Sequence, residues 1–523
     1  MAKTIIAYDL GTGGAKASLY AADGACRAST FVSYETIYPD SGWHEQRPED
    51  WWAAIVSSTR TLMRDAKASP ADVECLAISG QSLAVIPLDA KGGLLRASIP
   101  IWSDTRASRQ TAEFFQKVDR DRWYMTTGNG FPAECYSVFK VMWYRDNEPD
   151  LFSRTALVLG SKDYINYRLT GQVFTDYSYA SGTGIYDLMG WTYSDQFIAA
   201  SGLPRSLFPT IVPSTQIIGT LNAPAAEALG LPRSVKVACG GVDNSCMALG
   251  ARNTGEGRVY TSLGSSSWIA VSSGRPVLDP KVKPYVFTHV IPGLFTSAVS
   301  VFAGGSSFRW IRDALFGADT APDGRDAYVV MNELAAASPI GANGVLFNPS
   351  LAGGSSQEPS PHIRGAFAGI DLRHTRGDLV RAGMEGIAMN LGAVLEVLRR
   401  FVPLAPEMLM VGGGSRSALW RQIFADVYGM ECVKTNVDQE AGSLGAAAVA
   451  AVGAGLWKSF DAVDGIHRVQ DVQRPLAEHV EKYRRLMPAF EMLRGHQAEL
   501  GELLHGMESL SAASRRAVVK GGD

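Results

Sequence analysis

The chain has 523 residues, of which 46% are hydrophobic and 19% charged, and its net charge at neutral pH is -3. These proportions suit a soluble globular enzyme. They offer no basic stripe for a phosphate backbone, so nucleic acid is excluded as an expected partner. The cysteines (Cys26, Cys75, Cys135, Cys239, Cys246, Cys432) are scattered and form no CxxC pair, the pattern of reduced thiols in a cytoplasmic protein.

The N-terminus has too short an apolar run for a signal peptide. Thr4–Tyr8 instead predicts a strand, followed by the glycine-rich turn Asp9-Leu-Gly-Thr-Gly-Gly14 and a second strand over Ala15–Tyr20. Pro48, with Glu49 and Asp50 behind it, opens a helix whose Trp51, Trp52, Ile55, Val56, Thr59 and Leu62 recur at helical spacing. Strands are predicted over Val73–Ser79, Val85–Leu88 and Val235–Cys239, the last ending in glycines before a helix that begins at Asp243.

Arg258–Leu263, Gly264-Ser-Ser-Ser267 and Trp268–Val271 repeat the opening strand–turn–strand device. That repeat places a domain boundary near 251–257, with domains over 1–254 and 255–523. Gly377–Leu398 predicts a long helix, and Glu407–Val411 a strand entering Gly412-Gly-Gly414. Ser417 is placed to cap the next helix. Gly442–Leu456, rich in Ala and Gly, is shorter than the ~20 residues of a membrane span and is read as a tightly packed core helix. Beyond about 475 an amphipathic helix is expected, ending in a frayed tail over Ala512–Asp523. Strands alternating with helices make this an α/β protein.

Five motifs carry chemistry. In the first, Thr12, Gly13, Gly14 and Lys16 form a small-residue turn with one cation, suited to phosphate oxygens, and Asp9 at the strand end suits a hydrated Mg²⁺. A plain glycine hairpin is the alternative. The second, Gly264-Ser265, offers backbone amides and a hydroxyl to a β- or γ-phosphate, or is only a tight turn. In the third, Gly412-Gly-Gly-Ser-Arg-Ser417, a base or phosphate can lie against backbone, or helix and strand simply pack closely. In the fourth, Asp243 is either an N-cap or a general base, kept ionised by the helix N-terminus beside it. In the fifth, Trp102 can stack on a sugar face while Asp104 and Arg106 supply an acceptor and donors, with Gln81 a further polar contact. A surface ion pair beside a core Trp, and a solvated loop amide, are the alternatives. The eight histidines show no HExxH and no close metal-ligand spacing.

Taken in order, DLGTGGAK (9–16), GWHEQRPEDWW (42–52), ISGQS (78–82), IWSDTRA (101–107), GGVDN (240–244), SLGSSS (262–267), FAGGSSFRW (302–310), RGAFAGIDLRHTRGDLVRAGMEGIA (364–388) and GGGSRSALWRQIFADVYG (412–429) resemble the FGGY family of carbohydrate kinases. The resemblance implies two actin-like ATPase (ribonuclease-H-like) domains with an interdomain cleft. Sugar would lie mainly on the first domain and ATP with Mg²⁺ on the second. It implies Asp243 as the catalytic base and Gln81, Ser82, Trp102, Asp104, Asp243 and Asn244 on the sugar. It also implies Thr12, Gly13, Gly14, Lys16, Gly264, Ser265, Gly305, Arg309, Gly413, Gly414 and Ser417 on the nucleotide. A cytoplasmic enzyme of sugar and ATP is expected, off the membrane, with a homodimer open. Within the family, Asp243-Asn244 and the 42–52 segment are most similar to xylulose kinases. Ser82-Leu83 stands where those usually carry Met-His, so another polyol or a sugar acid, such as glycerol or gluconate, stays open as acceptor, as does a non-catalytic sensor.

Overall fold

A computed structural model describes residues 3–317, 324–355 and 357–520 of the chain. It divides into two compact units. The first takes residues 1–258, 271–297 and 439–468, and the second 259–270, 298–438 and 469–523. The chain therefore leaves each unit and returns to it.

The first unit is built on a seven-stranded sheet. Its strands lie in the order Ile217–Thr220, Lys236–Ala238, Val73–Gly80, Thr4–Leu10, Gly14–Ala21 and Cys26–Ser33, and Gly241–Val242 also pairs with Val73–Gly80. Because strand side chains alternate between faces, Tyr8 and Asp9 point opposite ways. The Tyr8 hydroxyl bonds Thr59 on the Pro48–Asp65 helix, while Asp9 faces the Ala441–Gly453 helix, whose Ser443 bonds Ser18 and Tyr20. Helices thus cover both faces, and Trp51, Ile55 and Leu62 are buried as their helical spacing predicts.

The Ala441–Gly453 helix is the close-packed core helix expected from its composition. It meets the Asp243–Gly250 helix backbone to backbone. A Cβ on Gly445 would stand 1.9 Å from the Cys246 carbonyl oxygen, and one on Gly250 1.8 Å from that of Ala441. Neither contact can be relieved by a flexible side chain. Gly445→Val should therefore destabilise the fold by about 3 kcal/mol, the upper part of the overpacking range, read as a lower urea midpoint with an unchanged slope.

A second seven-stranded sheet runs in the order Tyr285–Thr288, Phe295–Val301, Ser267–Ser273, Val259–Leu263, Glu407–Val411, Glu431–Thr435 and Val469–Gln473. Val259–Leu263, Glu407–Val411 and Glu431–Thr435 pair in parallel, and Val469–Gln473 closes the edge antiparallel. The first sheet shares the two parallel neighbours and the antiparallel strand beyond them, but its three strands joined in sequence are not matched, because Tyr285–Thr288 intervenes in the chain between Ser267–Ser273 and Phe295–Val301. The repeat read from two glycine turns extends to the parallel strands and the antiparallel strand beside them. Arg376–Arg399 is the long helix, started by a capping box between Thr375 and Asp378.

The final helix, Ala477–Lys520, continues through most of the segment expected to fray; residues 521–523 lie outside the described residues. Among the described residues no helix is long and apolar enough to cross a membrane.

Candidate active site

The register of the first sheet assembles one polar cluster. Asp9 lies across from Lys16 on one neighbour and Ser79 on the other, so all three share a face. Ser79 Oγ donates to Asp9 Oδ1 at 2.8 Å. Gly442 leaves room beside the other oxygen, since a Cβ there would fall 2.6 Å from Asp9 Oδ2. Ser79 also pairs with Gly241, two residues before Asp243. Val242, the last residue before the Asp243–Gly250 helix, is fixed by its N–H donating to Ser178 Oγ at 3.0 Å.

Asp243 Oδ1 accepts from the Asn244 N–H at 2.8 Å and from Asn244 Nδ2 at 2.9 Å. Asp243 and Asn244 both remain partly accessible. Desolvation of the carboxylate, followed by the negative charge of Asp9, pushes the Asp243 pKa up to about 7, and the Asn244 bonds only partly offset this. This corrects the expectation that the helix N-terminus keeps Asp243 firmly ionised: burial and a second carboxylate outweigh the helix dipole. Asp9 is itself raised by burial, with Ser79 and Lys16 pulling it back.

The Thr12–Gly14 turn is held from behind. Gln46 Nε2 donates to the Thr12 carbonyl at 2.7 Å, Gln81 Nε2 donates to Gln46 Oε1 at 2.8 Å, and Trp102 Nε1 donates to Thr12 Oγ1 at 2.8 Å. Gln81 is only 1% exposed, so it is neither a solvated amide nor a free surface contact. Its reach to the turn runs through Gln46. Gly13 is open, but Gly14 is needed for sheet packing, because a Cβ would meet the Phe31 ring at 2.4 Å. Lys16 Nζ donates to the Gln439 carbonyl at 2.9 Å.

Asp104 is also corrected. It is fully buried, and its two oxygens accept from Arg106 and from the His44 N–H. Arg106 pairs with Glu45 as well and stacks on Trp43 and Trp143, 4.0 and 5.0 Å from their ring centres. The pair is internal because two tryptophans and a second carboxylate from distant segments close over it. It shapes the loop and presents no acceptor outward.

Trp102 is 37% exposed, with Phe131 at 6.4 Å between ring centres; Phe131 stacks in turn on Tyr285 at 4.5 Å. Ser82 is 7% exposed, and Leu83 after it has φ of 63°. Phe131, Ser79, Gln46 and Gly442 are site residues that sequence reasoning did not single out. Ser79, Gln46 and Gly442 lay within segments it had marked, whereas Phe131 did not.

In the second unit, Gly264 and Ser265 are tied to the start of the Gly304–Phe316 helix. The Gly305 N–H donates to the Gly264 carbonyl and the Ser306 N–H to that of Ser265, each at 2.9 Å. Gly305 allows this approach, since a Cβ would lie 2.3 Å from the Gly264 oxygen. One turn on, an Arg309 nitrogen lies 3.4 Å from Ser265 Oγ. Four predicted residues therefore converge. Gly413 is open, whereas Gly414 packs on Leu263 and Trp420. Ser417 is occupied as the helix cap, accepting from the Trp420 N–H and donating to Asn332.

Comparison with known proteins matches residues 4–250 to the N-terminal domain of the FGGY family of carbohydrate kinases and residues 259–454 to its C-terminal domain. The xylulose kinase of Bacillus subtilis is 30% identical over 503 residues, covering 96% of this chain and 99% of that protein. A gluconokinase of Bacillus licheniformis is 26% identical over 518 residues, covering 98% and 100%. Among solved structures, the xylulose kinase from Rhodospirillum rubrum has a TM-score of 0.86 at 30% identity and covers 96% of this chain and 100% of its own.

Proposed function

Because the chain belongs to the FGGY family of carbohydrate kinases, we propose that its acceptor is an open-chain ketose, D-xylulose first, phosphorylated on its terminal hydroxyl. In that reaction the hydroxyl oxygen forms a bond to the γ-phosphorus of ATP. The bond from that phosphorus to the β-bridging oxygen breaks, the hydroxyl proton passes to Asp243, and ADP leaves. The observation that carries the reading is the Asp243 carboxylate at the start of its helix, partly accessible and held by Asn244, where desolvation and then the charge of Asp9 raise its pKa to about 7. A base whose pKa matches neutral pH is about half ionised there and holds a proton well.

Asn244 orients that carboxylate, while Trp102 and Ser82 are the residues of the alcohol side that face the sugar. Gln81 and Asp104 support them from behind. Arg106 is held by Asp104 and Glu45, so it is not free to bind a sugar acid's carboxylate, which favours an uncharged acceptor. Thr12, Gly13 and Lys16 would receive phosphate oxygens. Gly264, Ser265, Gly305, Arg309 and Gly413 would hold the nucleotide, and Gly414 and Ser417 would keep that loop in shape.

Asp9 fits Mg²⁺, which takes one or two carboxylates together with substrate phosphates. Its Oδ2 lies in the space that Gly442 leaves open. When bound there, the cation would offset charge on the phosphate oxygens. The reading includes a cytoplasmic location, in keeping with free thiols at all six cysteines.

A coupled ADP-release screen over D-xylulose, D-ribulose, glycerol and gluconate tests the acceptor. D-xylulose is expected to give the highest kcat/KM, by about tenfold or more, the size of one well-placed hydrogen bond. A higher value with gluconate would reassign the substrate.

A further inference from the structure

Lys140 lies on the Ser137–Asn147 helix and is fully buried. Among the described residues it forms no salt bridge. Its Nζ donates to two backbone carbonyls, that of Leu83 at 3.1 Å and that of Ile101 at 2.5 Å. The first carbonyl follows Ser82 directly and the second directly precedes Trp102. Leu83 holds a left-handed φ of 63°, which a branched side chain resists, so its conformation needs outside support. Tyr144, one turn further on the same helix face, adds a second tie through its hydroxyl to the Val85 carbonyl at 3.2 Å.

A buried ammonium served only by carbonyls costs stability relative to an apolar side chain of the same volume. Its return here is geometric, because one charged group fixes two loops that share no hydrogen bond through Ser82 or Trp102 themselves. We propose that Lys140 is a positioning residue for the acceptor: it sets the spacing between the Ser82–Leu83 loop and the Trp102 loop, and so controls sugar affinity without touching sugar or phosphate. The inference rests on the assignment of those two loops to the sugar.

The clamp should respond to pH. Burial drives the Lys140 amine down to about 8; the Cys135 thiol and the Asp104 carboxylate oppose the fall, and Arg106 adds to it. The Tyr144 phenol, on the same helix, is raised by its own burial and stays protonated throughout. Above pH 8 the clamp loses its charge, and its bonds to both carbonyls lose the strength that charge gives them. Sugar affinity therefore falls as pH rises through 8.

The test is steady-state kinetics of Lys140→Met beside the wild type, using the polyol with the highest wild-type kcat/KM. Lys140→Met should raise the sugar KM roughly tenfold or more at pH 7.5, about the worth of one charge-assisted bond. The KM for ATP should stay within about twofold and kcat within about threefold. In the wild type the sugar KM should climb between pH 7.5 and 9.5, and in Lys140→Met it should be flat. An unchanged sugar KM in a folded Lys140→Met, or kcat and both KM values degraded together, overturns the proposal. Should the variant not fold, a wild-type sugar KM that is flat from pH 7.5 to 9.5 overturns it equally. Wild-type turnover with a polyol checks the kinase reading, and the variant-to-wild-type KM ratio checks Lys140, so the two fail separately.

Discussion

Asp243→Ala is expected to lower turnover about 10²–10⁴-fold, the usual contribution of a general base, while the KM for ATP changes little. The base is asked to do modest work, since a loose phosphoryl-transfer transition state removes the hydroxyl proton late. The loss should therefore appear in kcat more than in substrate binding. Asp243→Asn separates chemistry from packing, because it keeps the shape and the contact with Asn244 but cannot take a proton. The same substitution should make the fold more stable. Asp243 has a folded pKa of about 7, above its ordinary value of 3.8, so at pH 8 the folded state bears the cost of an ionised, desolvated carboxylate that the unfolded chain does not. A variant that is slower by two orders of magnitude and yet unfolds at a higher temperature would mark a residue kept for activity against stability. Near-normal turnover in either folded variant contradicts the assignment.

The second large effect is on pH dependence. The acceptor's proton needs an ionised Asp243, and the group is raised, so activity is lost as pH falls through about 7. Below that point kcat/KM at low concentrations of both substrates, which reports the free enzyme, should fall about tenfold per pH unit. At pH 5.5 it should stand roughly 30-fold under its plateau. Part of the shift comes from the negative charge of Asp9. Asp9→Asn should therefore move the acid limb to lower pH, even as it weakens dependence on Mg²⁺. An acid limb near pH 4 in the wild type would show that burial does not raise Asp243, and one that Asp9→Asn leaves in place would show that the two carboxylates do not interact.

What could be read in the sequence was local. The Asp9–Lys16 turn, the Pro48 helix start, the Ser417 cap and the glycines before Asp243 each declare themselves within a few residues, because backbone φ, capping and side-chain period are set by neighbours in the chain. The packing of the Ala441–Gly453 helix was legible for the same reason: only a face of Gly and Ala lets backbones approach so closely. The repeated part of the topology could be read in outline, since its two hairpin turns repeat.

Burial and charge coupling were not legible. Asp104-Thr-Arg106 announces an ion pair, but Glu45, Trp43 and Trp143, which seal it, come from segments brought together only by folding. That Gln81 is buried and donates to Gln46 could not be read from its place after a strand. Asp243 looked like an N-terminal carboxylate at ease with its helix. Its pKa is raised first by desolvation and then by the charge of Asp9, far off in the chain. Local rules set the position of a functional group, whereas its protonation is set by whatever the topology packs against it.

The most direct test is infrared difference spectroscopy of the protein without nucleotide, wild type minus Asp243→Asn, titrated from pH 4 to 9. A desolvated carboxylic acid at this position should give a protonated C=O band that disappears with a midpoint near 7. If the band is absent at pH 5.5, so that Asp243 is already ionised there, the side chain is an ordinary carboxylate in the first turn of its helix and not a base poised for the sugar hydroxyl.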